Sequence, residues 1–225
     1  MTNFHLPLIR CDRITKRFGH KRVLQEVSIT VSEGEVVSLV GANGSGKTTL
    51  LRIVAGLEKP DQGEVWLGPV SLSAAAHEIR RYVGVVAHAP LLYERLTGAE
   101  NLQFYARLYD LDDPSDRIEH LLRSMELWGR RDEVVRTYSR GMSQRLAIAR
   151  ALLHDPPVVI LDEPDTGLDR DSLERLVELI VRLRERKRAV LATTHDLKRA
   201  FSWADRVCEL RKGSLHPLEG SDRSV

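Results

Sequence analysis

The sequence has 225 residues, a length typical of one domain that could carry an inserted subdomain. Hydrophobic residues make up 42% of it and charged residues 29%, so a sizeable core is compatible with a polar surface. Because 34 basic residues nearly balance 32 acidic residues, the net charge of +2 gives no reason to expect nucleic acid as the main partner.

The cysteines and the apolar segments bear on where such a protein works. Cys11 and Cys208 lie far apart without metal-ligand spacing, and we expect both to be reduced, buried thiols of a cytosolic protein. The first ten residues lack the apolar stretch of a signal peptide, and no apolar run approaches the roughly 20 residues that cross a bilayer. A pore, if the protein serves transport, must come from another chain.

The first part of the chain predicts strands, a glycine-rich loop and one helix. Ile29 and Val31 alternate with polar residues before a turn signal at 33–35, as in a strand with one buried face. The predicted elements are a strand ending at Val31, a buried strand at 36–40, a helix from Thr48 to Gly56, strands or loops at 63–70 and an apolar strand at 83–87.

The rest of the chain predicts a helical insertion followed by alternating strands and helices. Two amphipathic helices, at 99–111 and 115–127, are separated by Asp112, Asp113 and Pro114. The later elements are a helix at 143–153, a strand at 158–161, a long helix after Asp169, a strand at 189–193, a helix opened by Asp196, a hairpin of 207–210 with 214–218, and a polar end at 220–225. This alternation predicts a largely parallel sheet with ligands at the carboxyl ends of its strands.

The glycine-rich loop matches a phosphate-binding pattern. Residues 41–48 read Gly-Ala-Asn-Gly-Ser-Gly-Lys-Thr, which fits G-x-x-x-x-G-K-[ST] between a strand and a helix. Glycines let backbone N–H groups turn towards phosphate oxygens, Lys47 adds charge, and the Thr48 hydroxyl can ligate Mg²⁺. The alternative is a flexible loop that fits by chance. The predicted nucleotide contacts of this loop are Gly41, Asn43, Gly44, Ser45, Gly46, Lys47, Thr48 and Thr49.

Two carboxylates follow the apolar run at 158–161. Asp162 is predicted to hold Mg²⁺, and Glu163 to orient or deprotonate an attacking water molecule. A polar turn before Pro164 is the simpler interpretation of the pair alone. Beside a phosphate loop, the second carboxylate favours hydrolysis by water over a kinase reaction.

Residues 139–145, just upstream, resemble the signature motif of ABC ATPases, usually Leu-Ser-Gly-Gly-Gln. Tyr138 stands for the Leu, Arg140 for the first Gly and Met142 for the Gln, while Ser139 and Gly141 are retained. Taken alone, Ser139 or Ser143 would be a helix N-cap. The order and distance of the motifs make the resemblance strong, and it covers nearly the whole chain.

Other positions are similar to the same family. Residues 165–169 look like its D-loop, with Asp169 at the nucleotide; His195 looks like its switch histidine, and Phe18 like the aromatic residue that stacks on adenine. Where the family usually has Gln, this chain has His88, which could still contact water or the metal's shell. A surface histidine and a core phenylalanine are the alternatives for His195 and Phe18.

The resemblance implies an α/β P-loop NTPase, with a RecA-like core, an antiparallel β subdomain and an inserted helical subdomain. Its domains would be one ABC ATPase domain at 1–225, a core of 1–87 and 156–218, a helical subdomain of 88–155 and a tail of 219–225. It also implies ATP and Mg²⁺, a head-to-tail homodimer in which Ser139 and Gly141 act in trans, and a transmembrane permease as partner, with this chain peripheral at the cytoplasmic face of the inner membrane.

The type of transporter is indicated by the atypical residues. His88, the stretch from Pro90 to Tyr109 and Ser-Arg-Gly-Met at 139–142 are similar to the haem exporter ATPase of cytochrome c maturation. ATPases that export drugs or polysaccharides share Ser-Arg-Gly-Met, although many carry a long C-terminal extension, and they are the alternative. A soluble ABC ATPase outside transport is a third.

The segment 89–97 is predicted to contact the membrane partner, with Leu92 and Tyr93 on the docking surface. The alternative is that the chain's own predicted helix at 99–111 packs on this segment through Leu102, Tyr105 and Leu108 and covers its apolar side chains.

Overall fold

The computed structural model describes residues 7–74 and 78–218, which form ten strands and six α-helices. The strands are β1 (Pro7–Phe18), β2 (Lys21–Ser32), β3 (Val36–Val40), β4 (Gln62–Leu67), β5 (Val70–Ser71), β6 (Val83–Val86), β7 (Val158–Asp162), β8 (Ala189–Thr193), β9 (Arg206–Arg211) and β10 (Ser214–Leu218). The helices are α1 (Lys47–Val54), α2 (Gly98–Leu108), α3 (Ser115–Ser124), α4 (Arg140–Ala151), α5 (Arg170–Glu185) and α6 (Leu197–Trp203).

The strands form two sheets. The larger sheet has the order β10-β9-β3-β8-β7-β6, and all its neighbours pair in parallel except the β9–β10 hairpin. The smaller sheet is antiparallel, with the order β2-β1-β4-β5. The predicted parallel sheet and terminal hairpin are therefore confirmed. Every residue of β3, β7 and β8 is buried, as expected for parallel strands covered on both faces.

Alternate residues of the central strands pack into two hydrophobic cores, one on each face of the larger sheet. Val37, Leu39, Ile160 and Leu191 belong to the core that includes α1 and strands of the smaller sheet. The opposite face packs against α2 to α6, and its strand residues are Val36, Val40, Val159, Leu161, Val190 and Ala192. Because both faces are covered, the carboxyl edge of the strands is where polar side chains can gather.

Several helix boundaries differ from the sequence prediction; α2, for example, ends at Leu108 instead of 111. Helix α4 begins at Arg140, three residues before the predicted start, because the Ser139 hydroxyl caps it by accepting from the Met142 N–H at 3.3 Å. Helix α3 ends at Ser124, before the predicted 127, and Glu126 adopts a left-handed φ of 55° that stops the helix.

The remaining expectations concern cysteines, membrane spans and the chain end. Cys11 and Cys208 are buried free thiols, and burial raises the pKa of Cys11 to about 12. Across residues 7–74 and 78–218, no helix combines the length and the apolar character needed to traverse a bilayer. The predicted tail at 219–225 lies outside the described residues.

Candidate nucleotide-hydrolysis site

The glycine-rich loop connects the end of β3 to the start of α1. Gly41 has a φ of 147°, and a Cβ there would lie 2.5 Å from the carbonyl oxygen of Leu210, so this position requires glycine. Gly46 is the N-cap of α1 and has a φ of 110° with no side-chain cap, which leaves the first N–H groups of the helix open. The positive end of the α1 dipole faces the same space.

Lys47 carries a buried charge without an acidic partner among the described residues. Its side chain is folded back, and Nζ donates to the carbonyl oxygens of Gly41 at 2.7 Å and Ala42 at 3.3 Å. The hydroxyl of Ser45 is buried and has no hydrogen-bond partner in the part of the chain that the structure describes. A buried ammonium group and an unpaired hydroxyl in one loop fit a phosphate group as their missing partner.

The first strand-end carboxylate lies beside this loop. Asp162 is 6% exposed, and its Oδ1 accepts from the hydroxyls of Thr48 at 3.2 Å and Thr193 at 2.8 Å. Within the described ranges, no three His, Cys, Asp or Glu side chains gather as a metal site. One carboxylate and one hydroxyl, completed by phosphate oxygens and water, are the donors that suit Mg²⁺, so Thr48 and Asp162 fit this metal.

Glu163 sits at the turn that follows β7. Its φ is 50°, its N–H donates to the Thr193 hydroxyl at 2.9 Å, and its Oε2 accepts from Thr166 at 3.4 Å. Its carboxylate faces an open cavity of about 630 Å³. The residues that line this cavity are Phe18, Lys21, Val23, Asn43, Gly44, Gly46, Lys47, Thr48, Thr49, His88 and Glu163.

The cavity therefore brings together most of the predicted nucleotide contacts with both His88 and Glu163. Phe18 is 50% exposed at its rim, so the alternative of a core phenylalanine is wrong. The volume suits a ligand of nucleotide size.

Seven predicted site residues do not line this cavity: Gly41, Ser45 and Asp162 belong to the phosphate loop or lie beside it, and the other four lie elsewhere in the chain. Ser139 caps α4, and Gly141 lies in the first turn of that helix, where a Cβ in place of its hydrogen would meet no atom within 4 Å. Asp169 caps α5, and its hydrogen bonds from Ser172 hold the pKa of the Asp169 carboxyl below its usual range. His195 is exposed after β8. In a single chain these four residues are therefore not part of the cavity beside the phosphate loop.

Sequence reasoning missed the groups that hold the carboxylates in place. Besides Thr193, Asp165 is fully buried and its Oδ2 accepts from Thr194 at 2.9 Å and from the Arg199 guanidinium at 2.9 Å. Gln144 of α4 donates to the Pro164 carbonyl oxygen at 3.3 Å. The signal available was the pair Thr193-Thr194 at the end of an apolar run, where hydroxyls lie beside neighbouring strand ends.

A family model described as ABC transporter matches residues 24–166, well over half of the chain. The chain belongs to the ABC transporter family. It is 36% identical over 223 residues to an uncharacterized ABC transporter ATP-binding protein, YdbJ, of Bacillus subtilis (strain 168), covering 97% of this chain and 72% of that protein. The ABC transporter ATP-binding protein NatA of the same organism is 35% identical, and the match covers 97% of this chain and 93% of NatA.

Other similar proteins are also named as ATP-binding proteins. Nod factor export ATP-binding protein I of Ralstonia nicotianae is 35% identical, with 92% of this chain and 65% of that protein covered. A solved ATP-binding subunit of an ABC transporter has a TM-score of 0.86 at 31% identity, covering 92% of this chain and 88% of its own. A dimeric ATP-binding cassette in a post-hydrolysis state, bound to ADP and Pi, has a TM-score of 0.85 at 29% identity. The match covers 95% of this chain and 100% of the solved chain. The predicted P-loop NTPase fold is confirmed, and the chain is an ABC-type ATPase that binds ATP.

Proposed function

We propose that this chain binds Mg²⁺-ATP in the cavity of Phe18, Lys47 and Glu163 and hydrolyses it to drive export through a membrane partner. The observation that carries the proposal is the meeting of Lys47, Thr48, Asp162 and Glu163 at the carboxyl ends of β3 and β7. A buried ammonium group, a hydroxyl–carboxylate pair and a carboxylate facing open space are the parts that phosphoryl transfer to water requires.

Each side chain has a role that follows from its position. Lys47 leaves its carbonyl partners to neutralise the β and γ phosphates, and the N–H groups at the start of α1 bind their oxygens. Thr48 and Asp162 would hold Mg²⁺, which would supply positive charge for the transferred phosphoryl group. Glu163 orients or deprotonates the attacking water, with His88 beside it and His195 in support. Phe18 stacks on the adenine ring.

The signature residues act on a second copy of the chain. Ser139, Gly141 and Asp169 lie outside the cavity of their own chain, so a head-to-tail homodimer would bring them to the partner's nucleotide. The dimeric relative bound to ADP and Pi supports this arrangement. It fits our division into a core of 1–87 and 156–218 and a helical subdomain of 88–155, whose α4 begins at the signature.

A transmembrane permease completes the transporter, with this chain bound peripherally at the cytoplasmic face of the cell membrane. The family description and the relatives named for transport support such a partner. The exposed Leu91 and Tyr93, both close to half exposed, offer it an apolar surface at the junction of core and helical subdomain.

The substrate we propose is haem for cytochrome c maturation, with drug or polysaccharide export as the alternative. The haem proposal rests on His88, the stretch from Pro90 to Tyr109 and residues 139–142, whereas a relative named for Nod factor export favours export without specifying haem. The discriminating measurement is the ATPase rate of the chain reconstituted with the membrane protein encoded beside it. Stimulation by haem supports the proposal, and stimulation by an apolar drug without a response to haem contradicts it.

The hydrolytic role is tested by Glu163→Gln. This change removes the base but keeps the size and the hydrogen-bonding shape of the side chain, so ATP binding should persist while turnover falls by roughly 10²–10⁴. Calorimetry of ATP binding and a phosphate-release assay measure the two effects. Lys47→Ala is the contrasting variant, because it should lose ATP binding itself. Near-normal turnover of Glu163→Gln would show that another group positions the water.

A further inference from the structure

The signature residue Arg140 lies against the loop that carries Glu163. A Cβ placed on Gly167 would lie 2.7 Å from Cζ, 2.8 Å from Nη1 and 2.9 Å from Nε of the Arg140 guanidinium. Three nearly equal distances mean that the flat face of the guanidinium, and not its edge, covers the bare Cα of Gly167. The Arg140 side chain is solvent-exposed and forms no hydrogen bond or ion pair with another described residue, so this face contact is the interaction of the guanidinium that the structure shows.

Gly167 belongs to the segment 163–169, which joins β7 to α5. One side of this segment is tied to the core, because Thr194 and Arg199 both bond to the buried Asp165. The adjacent Thr166 donates to the Glu163 carboxylate. On the other side, α4 reaches it twice, through Gln144 to the Pro164 carbonyl and through Arg140 to Gly167. The signature helix thus covers the turn that aims Glu163.

We propose that Arg140 is a positioning residue that acts in cis: its guanidinium, stacked on Gly167, holds the 163–169 turn and thereby the Glu163 carboxylate of its own subunit. The inference rests on the proposed hydrolytic function and adds a second task to the signature segment. Ser139 and Gly141 face the partner's nucleotide, whereas Arg140 connects that same segment to the chain's own water-positioning group. The competing role is a charge supplied in trans to the partner's phosphates.

The chemistry of the side chain separates the two roles. A guanidinium is planar and weakly hydrated and can stack on a peptide face, whereas a lysine ammonium is a compact, strongly hydrated charge without a plane. Under the cis role, Arg140→Lys and Arg140→Ala should both lower kcat by roughly tenfold with KM for ATP within about twofold, since a loosened catalytic geometry costs turnover. Wild-type kcat in Arg140→Lys, or a raised KM with unchanged kcat, would overturn the proposal.

A double-mutant cycle with Gly167→Ala tests the contact itself. The added methyl group displaces the guanidinium in the wild-type background, and this clash is absent once Arg140 is alanine. The change at Gly167 also strains its left-handed φ of 74°, a cost common to both backgrounds. We therefore expect Gly167→Ala to lower kcat by a several-fold larger factor with Arg140 present than without it. Equal factors in the two backgrounds would refute the stacking.

Mixed dimers assign the effect to one subunit. A wild-type subunit paired with Glu163→Gln leaves one competent site as the reference. Placing Arg140→Ala on the subunit with intact Glu163 should lower turnover roughly tenfold, whereas placing it on the Glu163→Gln subunit should leave the reference rate. The reverse pattern, or equal loss in both, refutes the cis role. If the reference dimer does not hydrolyse ATP, the double-mutant cycle with Gly167→Ala decides whether Arg140 acts in cis. A wild-type chain without ATPase activity would instead refute the proposed function.

Discussion

Thr193 connects the two carboxylates of the site through one hydroxyl group. The hydroxyl donates to Asp162 Oδ1 at 2.8 Å and accepts from the Glu163 N–H at 2.9 Å. Both contacts are sheltered, because Thr193 is fully buried and Asp162 nearly so. A single side chain of β8 therefore sets the orientation of the predicted metal ligand and of the backbone that carries the predicted base.

We predict that Thr193→Val will uncouple these two groups. Valine has nearly the shape of threonine, but it leaves the Asp162 oxygen short of a donor and the Glu163 N–H without its acceptor. The free energy of unfolding should fall by about 1–3 kcal/mol, as for other unpaired buried polar groups. Turnover should fall roughly 10–100-fold, as when a group that supports a metal ligand is lost.

Thr193→Ser is the matched control, since it keeps the hydroxyl and removes one methyl group. It should retain most of the activity, whereas the valine variant should not. Denaturant unfolding and the steady-state ATPase rate measure the two effects. Equal activity of the valine and serine variants would show that the hydroxyl does not support the site.

At the residue scale, the sequence predicted what depends on local spacing. The roles of Lys47 and Thr48 were predicted from a pattern of eight consecutive residues. The role of Glu163 was predicted from its place at the end of an apolar run. The hydroxyl of Thr193 reaches Asp162 across 31 residues, and this contact depends on β8 lying beside β7. Periodicity predicts that both strands exist, but it does not specify their order in the sheet.

At the element scale, apolar periodicity predicted the helices and the buried strands, and local capping decided where they begin and end. The start of α4 at Arg140 matters most, because it places the signature residues in the first turn of a helix. The same Ser139 was open to two interpretations, a cap and a nucleotide contact, and its Oγ is engaged as a cap in this chain. Assembly with a second chain would use the helix start that this cap creates.

The junction between α4 and α2 contains a histidine that resists protonation. His154 follows α4, and its ring stacks on that of Tyr109 at the end of α2, with centroids 3.9 Å apart and an interplanar angle of 16°. Burial is the main cause that lowers the pKa of His154 from 6.5 to about 4. Between these two pH values the unfolded chain binds a proton that the folded chain does not.

We predict an acid-sensitive stability from this residue. Because the unfolded state binds more protons, stability falls as pH drops below 6.5, by about 1.4 kcal/mol per unit until the folded pKa near 4 is reached. His154→Phe keeps an aromatic ring against Tyr109 and removes the titration, so its stability should vary less between pH 6.5 and 4.5. Urea unfolding at several pH values measures this difference, and parallel curves for the two proteins would contradict it.

At the scale of the whole molecule, the segment 89–97 before α2 shows an apolar surface held by polar contacts. Asn101 is fully buried, accepts from the Tyr93 N–H at 2.8 Å and donates to the Tyr93 carbonyl at 3.0 Å. The Tyr105 hydroxyl donates to the Leu91 carbonyl at 2.6 Å, and the ring of Tyr93 meets Phe104 edge-on at 4.6 Å. Helix α2 therefore fixes the backbone of this segment. Of the residues that the alternative of an internal cover named, Tyr105 contacts the segment, whereas Leu108 is exposed.

The side chains of this segment divide between the core and the surface. Leu92, predicted for the docking surface, packs against the hydrophobic core instead, because the left-handed φ of 52° at Leu91 turns the chain at that point. Leu91 and Tyr93 remain 47% and 48% exposed, and Leu108 of α2 is 61% exposed. The docking surface we propose for the permease is therefore formed by Leu91, Tyr93 and Leu108.

We predict that Leu91→Glu combined with Tyr93→Glu will release the ATPase from its membrane partner and spare its ATPase activity in solution. Both side chains are already half in water, so a carboxylate costs the fold little, whereas burying two charges against an apolar helix is strongly unfavourable. Leu57→Glu is the matched control, because Leu57 is 52% exposed and follows α1, away from this segment in the sequence. Co-purification with the membrane subunit should be lost in the double variant and kept in the control. Retained co-purification and transport would rule out this surface, and loss of ATPase activity in solution would show that Leu91 and Tyr93 serve the packing of the subdomain.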